Sequence, residues 1–398
     1  MRDLRNSWVV RDAACAGLEG ADRIVVVVKT GATEANLKVP PQLRTSLRCA
    51  PNIFIFSDME QTIGKHKVHD ALKNVRDEIK DGSPDFHIYR EQQKLKDPDK
   101  IIETLSGMRT PDSADLAAWT LDKYKNIHIA EDIWELQPNY DWYLYIDADT
   151  YVMWPTLLQW TKRLDPDKIS YMGAKATLDD RLFAHGGTGY LLSRAAMFKI
   201  VVENNGTAAR WDPRANEECC GDLLLALAIK EYGIDLINVS PTMNGYEPDT
   251  IPFDKNRWCQ YVATMHHITP DKFENIAQFE ADRADKTKPI RYADIFDYYF
   301  AKNMPTDRDH WDNWSQGEEG LIDAHSKEEC KEACKQNPRC TQTKWDGEQC
   351  IVEVDRITMG MARGDEDGKS WYSTWDPDRI KKWVSEQGTC ALSFPGEV

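Results

Sequence analysis

The chain has 398 residues, 41% hydrophobic, 29% charged and 10% aromatic, a globular composition too apolar for an extended disordered polymer. At about 150 residues per domain this length predicts two or three domains and excludes a small disulfide peptide. With 50 Lys and Arg against 66 Asp and Glu the formal charge is −16, which argues against nucleic acid as a partner, because phosphate neutralisation needs clustered cations in excess. An anionic ligand would need a metal.

In chain order, IVVVV at 24–28, NIFIF at 52–56, WYLYI at 142–146, ISYMG at 169–173 and IDLINV at 234–239 read as strands. Between them, apolar residues recur at helical spacing over 114–136, and Leu223, Leu224, Leu227 and Ile229 mark a buried helix after Asp222. The alternation predicts an α/β domain, a mostly parallel sheet flanked by helices, with ligands beyond the carboxyl ends of its strands. We take 1–305 as this domain, the polar, Trp-rich stretch 306–325 as a linker, and 326–398 as a Cys-rich module with a tail.

The longest run of Val, Ile and Leu alone, at 24–28, spans five residues, against about 20 apolar residues for a membrane span. The start Met1-Arg2-Asp3 shows no apolar signal region, which leaves a cytosolic protein or a chain whose leader or membrane anchor has been removed. The cysteines favour the second. Five lie before position 330 (Cys15, Cys49, Cys219, Cys220, Cys259) and five crowd the last 69 residues (Cys330, Cys334, Cys340, Cys350, Cys390), a density expected of a disulfide module from an oxidising compartment. Sequons at Asn205, Asn238 and Asn313 fit secretory passage. The expected location is the secretory pathway, either the Golgi lumen, as a type II membrane protein trimmed to its soluble part, or outside the cell.

The strongest local signal is WYLYIDADTYV, a buried strand running into Asp147-Ala148-Asp149. Two carboxylates one residue apart at a strand end can converge on a hard divalent cation, which can bridge the phosphates of a nucleotide; the plainer reading is an Asx turn. The same residues resemble the first motif of haloacid-dehalogenase-type phosphatases, although Tyr151 stands where that motif wants Thr or Val. Next, His185-Gly186-Gly187-Thr188-Gly189-Tyr190 would let a backbone approach a ligand, or simply turn into a strand. Asn216-Glu217-Glu218-Cys219-Cys220-Gly221-Asp222 opens the Leu-rich helix, where Asp222 is either an N-terminal cap or a general base poised to take a hydroxyl proton. His266-His267 follows a strand-like run, and we expect one ligand of this pair, His266, to complete a site begun by carboxylates. Trp211, Tyr246 and Trp258 flank these segments and are candidate sugar-stacking faces.

Taken in order, these residues resemble the β-1,3-glycosyltransferase family that contains Fringe and the core 1 galactosyltransferase, from about position 22 to 273. The elements are Lys29-Thr30-Gly31 after the first strand, Arg48-Cys49 before the second, Asp58 after it, Lys125, DWYLYIDADTYV, GGTGYLLS, Gly221-Asp222-Leu223 and MHHIT. The resemblance implies a GT-A fold, a Rossmann-like sheet with a metal-binding Asp-x-Asp, a UDP-sugar donor, Mn²⁺ (or Mg²⁺), and inversion at the anomeric carbon. Carried over by position, Asp149 and His266 would hold the metal with Asp147 beside them on metal or ribose. Thr30, Asp58 and Lys125, with Gly186 and Gly187, would line the nucleotide sugar, and Asp222 would be the base. The chain departs from relatives in having Gly221-Asp222 where two adjacent acids are common, which keeps Glu217 and Glu218 in view, and in having Ala148 between the two aspartates.

From Ser326 the chain resembles a PAN/Apple module, and the resemblance implies Cys334–Cys340 and Cys330–Cys350 pairs. Zinc is the competing use of these cysteines, but no Cys-x2-Cys or His partner has its spacing. The function expected from the whole is a metal-dependent transferase moving a sugar, galactose the leading guess, from a UDP-sugar to a glycan or glycoprotein hydroxyl in a β-1,3 linkage. The alternatives are a non-catalytic secreted carbohydrate-binding or adaptor protein, and the phosphatase.

Overall fold

The computed structural model describes residues 15, 17–95, 100, 120–317, 321–365, 369–391 and 393–396. The chain divides into two compact units, the first running to Gly245 and taking in Ala263–Pro289 and the end from Pro395, the second formed by Tyr246–Val262 and Ile290–Phe394.

The first unit is built on β1 (Ile24–Lys29), β2 (Ile53–Ser57), β3 (Gln61–Ile63), β4 (His66–Asp70), β5 (Trp142–Asp147), β6 (Tyr151–Val152), β7 (Tyr171–Gly173), β8 (Lys175–Leu178), β9 (Arg181–Ala184), β10 (Tyr190–Ser193), β11 (Leu236–Asn238) and β12 (Met243–Asn244). Eight of them form one sheet in the order β11-β7-β10-β5-β1-β2-β4-β3. β-branched and aromatic residues suit a pleated surface covered on both sides. Because successive side chains alternate, Val25 and Val27 join a core with Tyr143 and Tyr145 of β5, Ile129 and Ile133 of the helix Lys125–Leu136, and Leu223 and Leu225 of the helix Gly221–Lys230. Ile24, Val26 and Val28 are buried on the opposite face.

The sheet is mostly parallel, as expected: six of its eight strands, β11 and β7 included, point the same way, and β10 and β3 are the two reversed ones. β5, β1, β2 and β4 run parallel, while β10 lies antiparallel between β5 and β7, and β3 antiparallel to β4. β10 leaves a tight turn at Gly186–Thr188, hydrogen-bonded onto the chain just beyond the carboxyl end of β5, and runs straight back down beside it. Two of the expected strands are shorter than their apolar runs, covering only Tyr171–Gly173 and Leu236–Asn238. The helix expected over 114–136 is a 3₁₀ turn, Leu121–Tyr124, leading into Lys125–Leu136, and residues 114–119 lie outside the described residues. Trp211, considered as a sugar platform, is 3% exposed inside the core. Its large apolar ring is worth more in the interior than at a wet surface.

The second unit has a five-stranded antiparallel sheet, Asp307–Asp309, Tyr372–Trp375, Cys340–Trp345, Cys350–Val354 and Leu321–Ile322 in that order. The helix Lys327–Gln336 is stapled to it by Cys330–Cys350 and Cys334–Cys340, the two pairs that the resemblance implied. Cys15–Cys49, Cys219–Cys220 and Cys259–Cys390 take up the other cysteines, and none is free. Trp258 is interior here too, edge-on to Phe296 and Trp383, while Tyr246 is half-buried.

The stretch 306–325 is not a linker. It supplies Asp307–Asp309, Trp311–Asp312 and Leu321–Ile322 as strands, and its polar composition is satisfied internally. Asn313, fully buried, donates from Nδ2 to the Thr343 carbonyl at 2.9 Å and accepts at Oδ1 from the Ser315 hydroxyl at 2.8 Å. Gln342 in turn donates to the Asn313 carbonyl at 3.1 Å. Among the described residues no helix is long and apolar enough to cross a membrane.

Candidate metal centre and active site

The site gathers where β1 and β5 end side by side, with Lys29 opposite Asp147 in register. The chain turns after β5 with the Ala148 N–H donating to the Lys29 carbonyl at 3.0 Å. Gln42, buried on the helix Ala35–Arg44, fixes the turn by donating to the carbonyls of Asp147 and Thr150 at 3.1 and 2.8 Å. β6 then pairs with the strand Thr264–Met265, which also pairs with β12. His266 and His267 therefore emerge beside Asp149, and the Ile268 N–H donates to the Asp149 carbonyl at 2.9 Å.

Asp149, His266 and His267 each offer one ligand atom, all within 4.8 Å of one another, so this group could hold a metal ion. Asp149 Oδ1 lies 3.2 Å from His266 Nε2 and its Oδ2 3.3 Å from Lys38 Nζ. Burial works to raise the Asp149 carboxyl, but the hydrogen bond and charge of His266, together with Lys38, hold it well below the ordinary carboxylate range. Burial and the neighbouring His266 keep His267 and His185 below the usual histidine value, which favours neutral imidazoles. One carboxylate and two imidazoles are a donor set for a divalent transition-metal ion. His266 Nδ1 is buried with no hydrogen-bond partner among the described residues.

Two features of the geometry bear on the expectation of one histidine ligand, with Asp147 on metal or ribose. Both histidines of the pair, not His266 alone, come together with Asp149; His267 reaches it from a left-handed backbone at φ 62°, its ring 3.8 Å from that of His266. Asp147 stands outside the group. Its Oδ1 faces Lys29 Nζ at 3.4 Å, and Lys29 also binds Asp122. Burial pushes the Asp147 carboxyl up to about 6, with Lys29 opposing and Asp122 and Asp149 adding to the rise. Burial by itself would lower the Lys29 ammonium, yet Asp122 and Asp147 raise it above the ordinary lysine value.

Gly186 and Gly187 link this group to Asp222. The Gly186 N–H donates to Asp222 Oδ2 at 2.8 Å and the Leu223 N–H to Oδ1 at 2.9 Å, which orients the carboxylate at the start of the helix Gly221–Lys230. Gly187 is the floor beneath the His266 ring: a Cβ there would lie 2.1 Å from His266 Cε1. Gly187→Ala is therefore expected to push the imidazole off its position, at a cost of about 1–3 kcal/mol of overpacking. Titration calorimetry should then show Mn²⁺ affinity reduced at least about 10-fold, on the scale of lost ligand positioning, with the circular dichroism spectrum unchanged. Of the other acids before this helix, Glu218 is clasped by Arg181 at 2.7 and 2.8 Å, and Glu217 is exposed.

Thr30, Asp58 and Lys125 form a separate buried cluster. Lys125 Nζ donates to the Thr30 carbonyl at 2.9 Å and to Asp58 Oδ1 at 3.2 Å, and Asp58 Oδ1 also accepts from the Ala32 N–H at 3.0 Å. These contacts fix the loop after β1. Asp58 Oδ2 is buried with no hydrogen-bond partner among the described residues. Lys29, Lys38, Asp122, Gln42 and His267 were given no role from sequence. The available signals were Lys29 at the last position of a buried strand, and the Glu34/Lys38 and Asp122/Lys125 spacings of one helical turn.

No protein-family model matches the chain, and no curated protein matches it.

Proposed function

We propose that the chain is a metal-dependent inverting glycosyltransferase of the GT-A type, akin to the Fringe and core 1 galactosyltransferase family. It moves a sugar, galactose first among the candidates, from a UDP-sugar to a hydroxyl of a glycan or glycoprotein, in a β-1,3 linkage. The observation that carries this reading is that His266, grouped with Asp149 and His267, lies over Gly187 while the adjoining Gly186 N–H holds the Asp222 carboxylate, in a turn hydrogen-bonded to the chain just beyond the carboxyl end of β5. A cation group next to an oriented carboxylate at that edge of an α/β sheet suits a nucleotide-sugar donor with its acceptor alongside.

Asp149, His266 and His267 would hold Mn²⁺, or Mg²⁺. When bound, the ion supplies the positive charge that a departing diphosphate needs in a chain of net charge −16. Asp147, beside Lys29 and outside the ligand group, is left to orient the donor. Asp222 accepts the acceptor's hydroxyl proton at a carboxylate oxygen while that hydroxyl oxygen attacks the sugar C1; the new C1–O bond forms as the C1–O bond to UDP breaks, and a single displacement inverts the configuration. The disulfides fit passage through an oxidising compartment, and we place the enzyme in the Golgi lumen or outside the cell.

The test is UDP release from a panel of UDP-sugars, with Mn²⁺ or with a chelator, in the presence of mixed glycoside acceptors. Mn²⁺-dependent release from one donor, raised by one acceptor, is the expected result. Mn²⁺-tightened UDP binding without turnover on any acceptor would favour the carbohydrate-binding reading. Absence of UDP binding, with phosphate released from a phosphomonoester, would sink the transferase in favour of the phosphatase.

A further inference from the structure

We infer that Asn205 is an N-glycosylation site and that Asn313, although it stands in a sequon of the same kind, carries no glycan in the folded protein. Glycosylation at Asn205 requires an oxidising secretory lumen, which the pairing of all ten cysteines supports, and it is independent of the transferase reading.

A sequon becomes a glycan only where the asparagine Nδ2 is compatible with a bulky, hydrated substituent. Asn205 meets that condition. It is exposed, in the turn between the helical segment Lys199–Glu203 and the helix Thr207–Ala215, with Gly206 at φ 72° supplying the left-handed residue that the turn requires. Among the described residues its backbone carbonyl is engaged, by Arg210 at 2.6 Å, and no hydrogen bond involves its side-chain amide. The sequon's hydroxyl residue, Thr207, is tied down separately, donating to the Asn204 carbonyl at 2.6 Å. The folded turn thus engages the Asn205 carbonyl and the Thr207 hydroxyl, and not the Asn205 side-chain amide.

Asn313 is the reverse case. Its Nδ2 is fully buried and donates to the carbonyl of Thr343 at 2.9 Å and of Thr374 at 3.4 Å, on two adjacent strands of the second unit's sheet. Its Oδ1 accepts from both the N–H and the hydroxyl of Ser315. A sugar on that nitrogen would occupy the space of two strands, so a glycosylated chain could not close this sheet. Asn238 differs from both: it is exposed, but its Oδ1 is held by the N–H groups of Lys175 and Ser240, and Pro241 follows the sequon.

In the reaction the Asn205 Nδ2 bonds to C1 of the first N-acetylglucosamine of a lipid-pyrophosphate-linked oligosaccharide. The C1–O bond to pyrophosphate breaks, the lipid pyrophosphate leaves, and Nδ2 gives up one proton.

The experiment sends the chain through the secretory pathway of a eukaryotic cell behind a cleavable leader. Disulfide pairing of the secreted protein is confirmed by non-reducing peptide mapping. Peptide N-glycosidase in heavy-oxygen water then converts each glycosylated asparagine to labelled aspartate. The expected result is label at Asn205 in most molecules and none at Asn313; Asn205→Gln removes the label and speeds the gel band by one glycan, while Thr207→Ser keeps both. Unlabelled Asn205 in disulfide-paired protein, or labelled Asn313 in the folded fraction, would overturn the inference.

Discussion

Asp149→Ala is expected to abolish Mn²⁺-dependent UDP binding while leaving the fold in place. Loss of residues that merely orient metal ligands costs 10- to 100-fold in affinity, so removal of the group's only carboxylate should cost at least about 100-fold. The variant deletes the oxygen that faces His266 Nε2 at 3.2 Å and the one that faces Lys38 at 3.3 Å. His266 and Lys38 then lose a common partner, and Lys38 keeps only Glu34, 2.7 Å away, as counter-charge. Calorimetric titration of UDP with and without Mn²⁺ reads the effect directly. Wild-type affinity in the variant would mean that the cation sits elsewhere, and Asp147 would be the next carboxylate to remove.

Asp222→Asn should separate binding from chemistry. The carboxylate accepts two backbone N–H bonds, from Gly186 and Leu223. An amide of the same shape keeps one of them and turns a donor toward the other, a local cost of about 1–3 kcal/mol at the helix start. UDP–Mn²⁺ affinity is therefore expected to stay within about twofold, since none of the three metal-group side chains is touched, while transfer falls by about 10²- to 10⁴-fold with the loss of the base. Full transfer in the variant would dismiss Asp222. Attention would pass to Glu217, because both oxygens of Glu218 are already held by Arg181.

The central strands were legible because a run of β-branched residues covered on both faces has few alternatives, and WYLYIDAD shows by composition alone where such a strand stops. The neighbours of those strands were less legible. Nothing in the sequence says that β10 inserts antiparallel between β5 and β7, since periodicity reports burial and not direction. At the site, the spacing Asp-x-Asp identified a carboxylate pair but not which member turns toward His266 and which toward Lys29; that choice depends on Gln42 and the Ala148 N–H fixing the turn. The stretch 306–325 read as a linker because its residues are polar. Asn313, Ser315 and Gln342 are polar and buried together, each satisfying another, and a composition count cannot tell mutual satisfaction from hydration.

The two units are discontinuous along the chain, and this bears on how the protein is made. The segment carrying His266 and His267 lies between two stretches of the second unit, and the last residues return to the first, where the Pro395 carbonyl accepts from the Trp160 indole at 2.8 Å. Within the second unit, Cys259 waits for Cys390, 131 positions later, and Phe253–Asp254 for Arg356–Ile357. On the ribosome neither unit can be finished before the other has begun. The C-terminal module is therefore not a cassette that gene shuffling could append or remove: a stop codon after position 305 would strand half of a disulfide and half of a strand pair in the chain ahead of it.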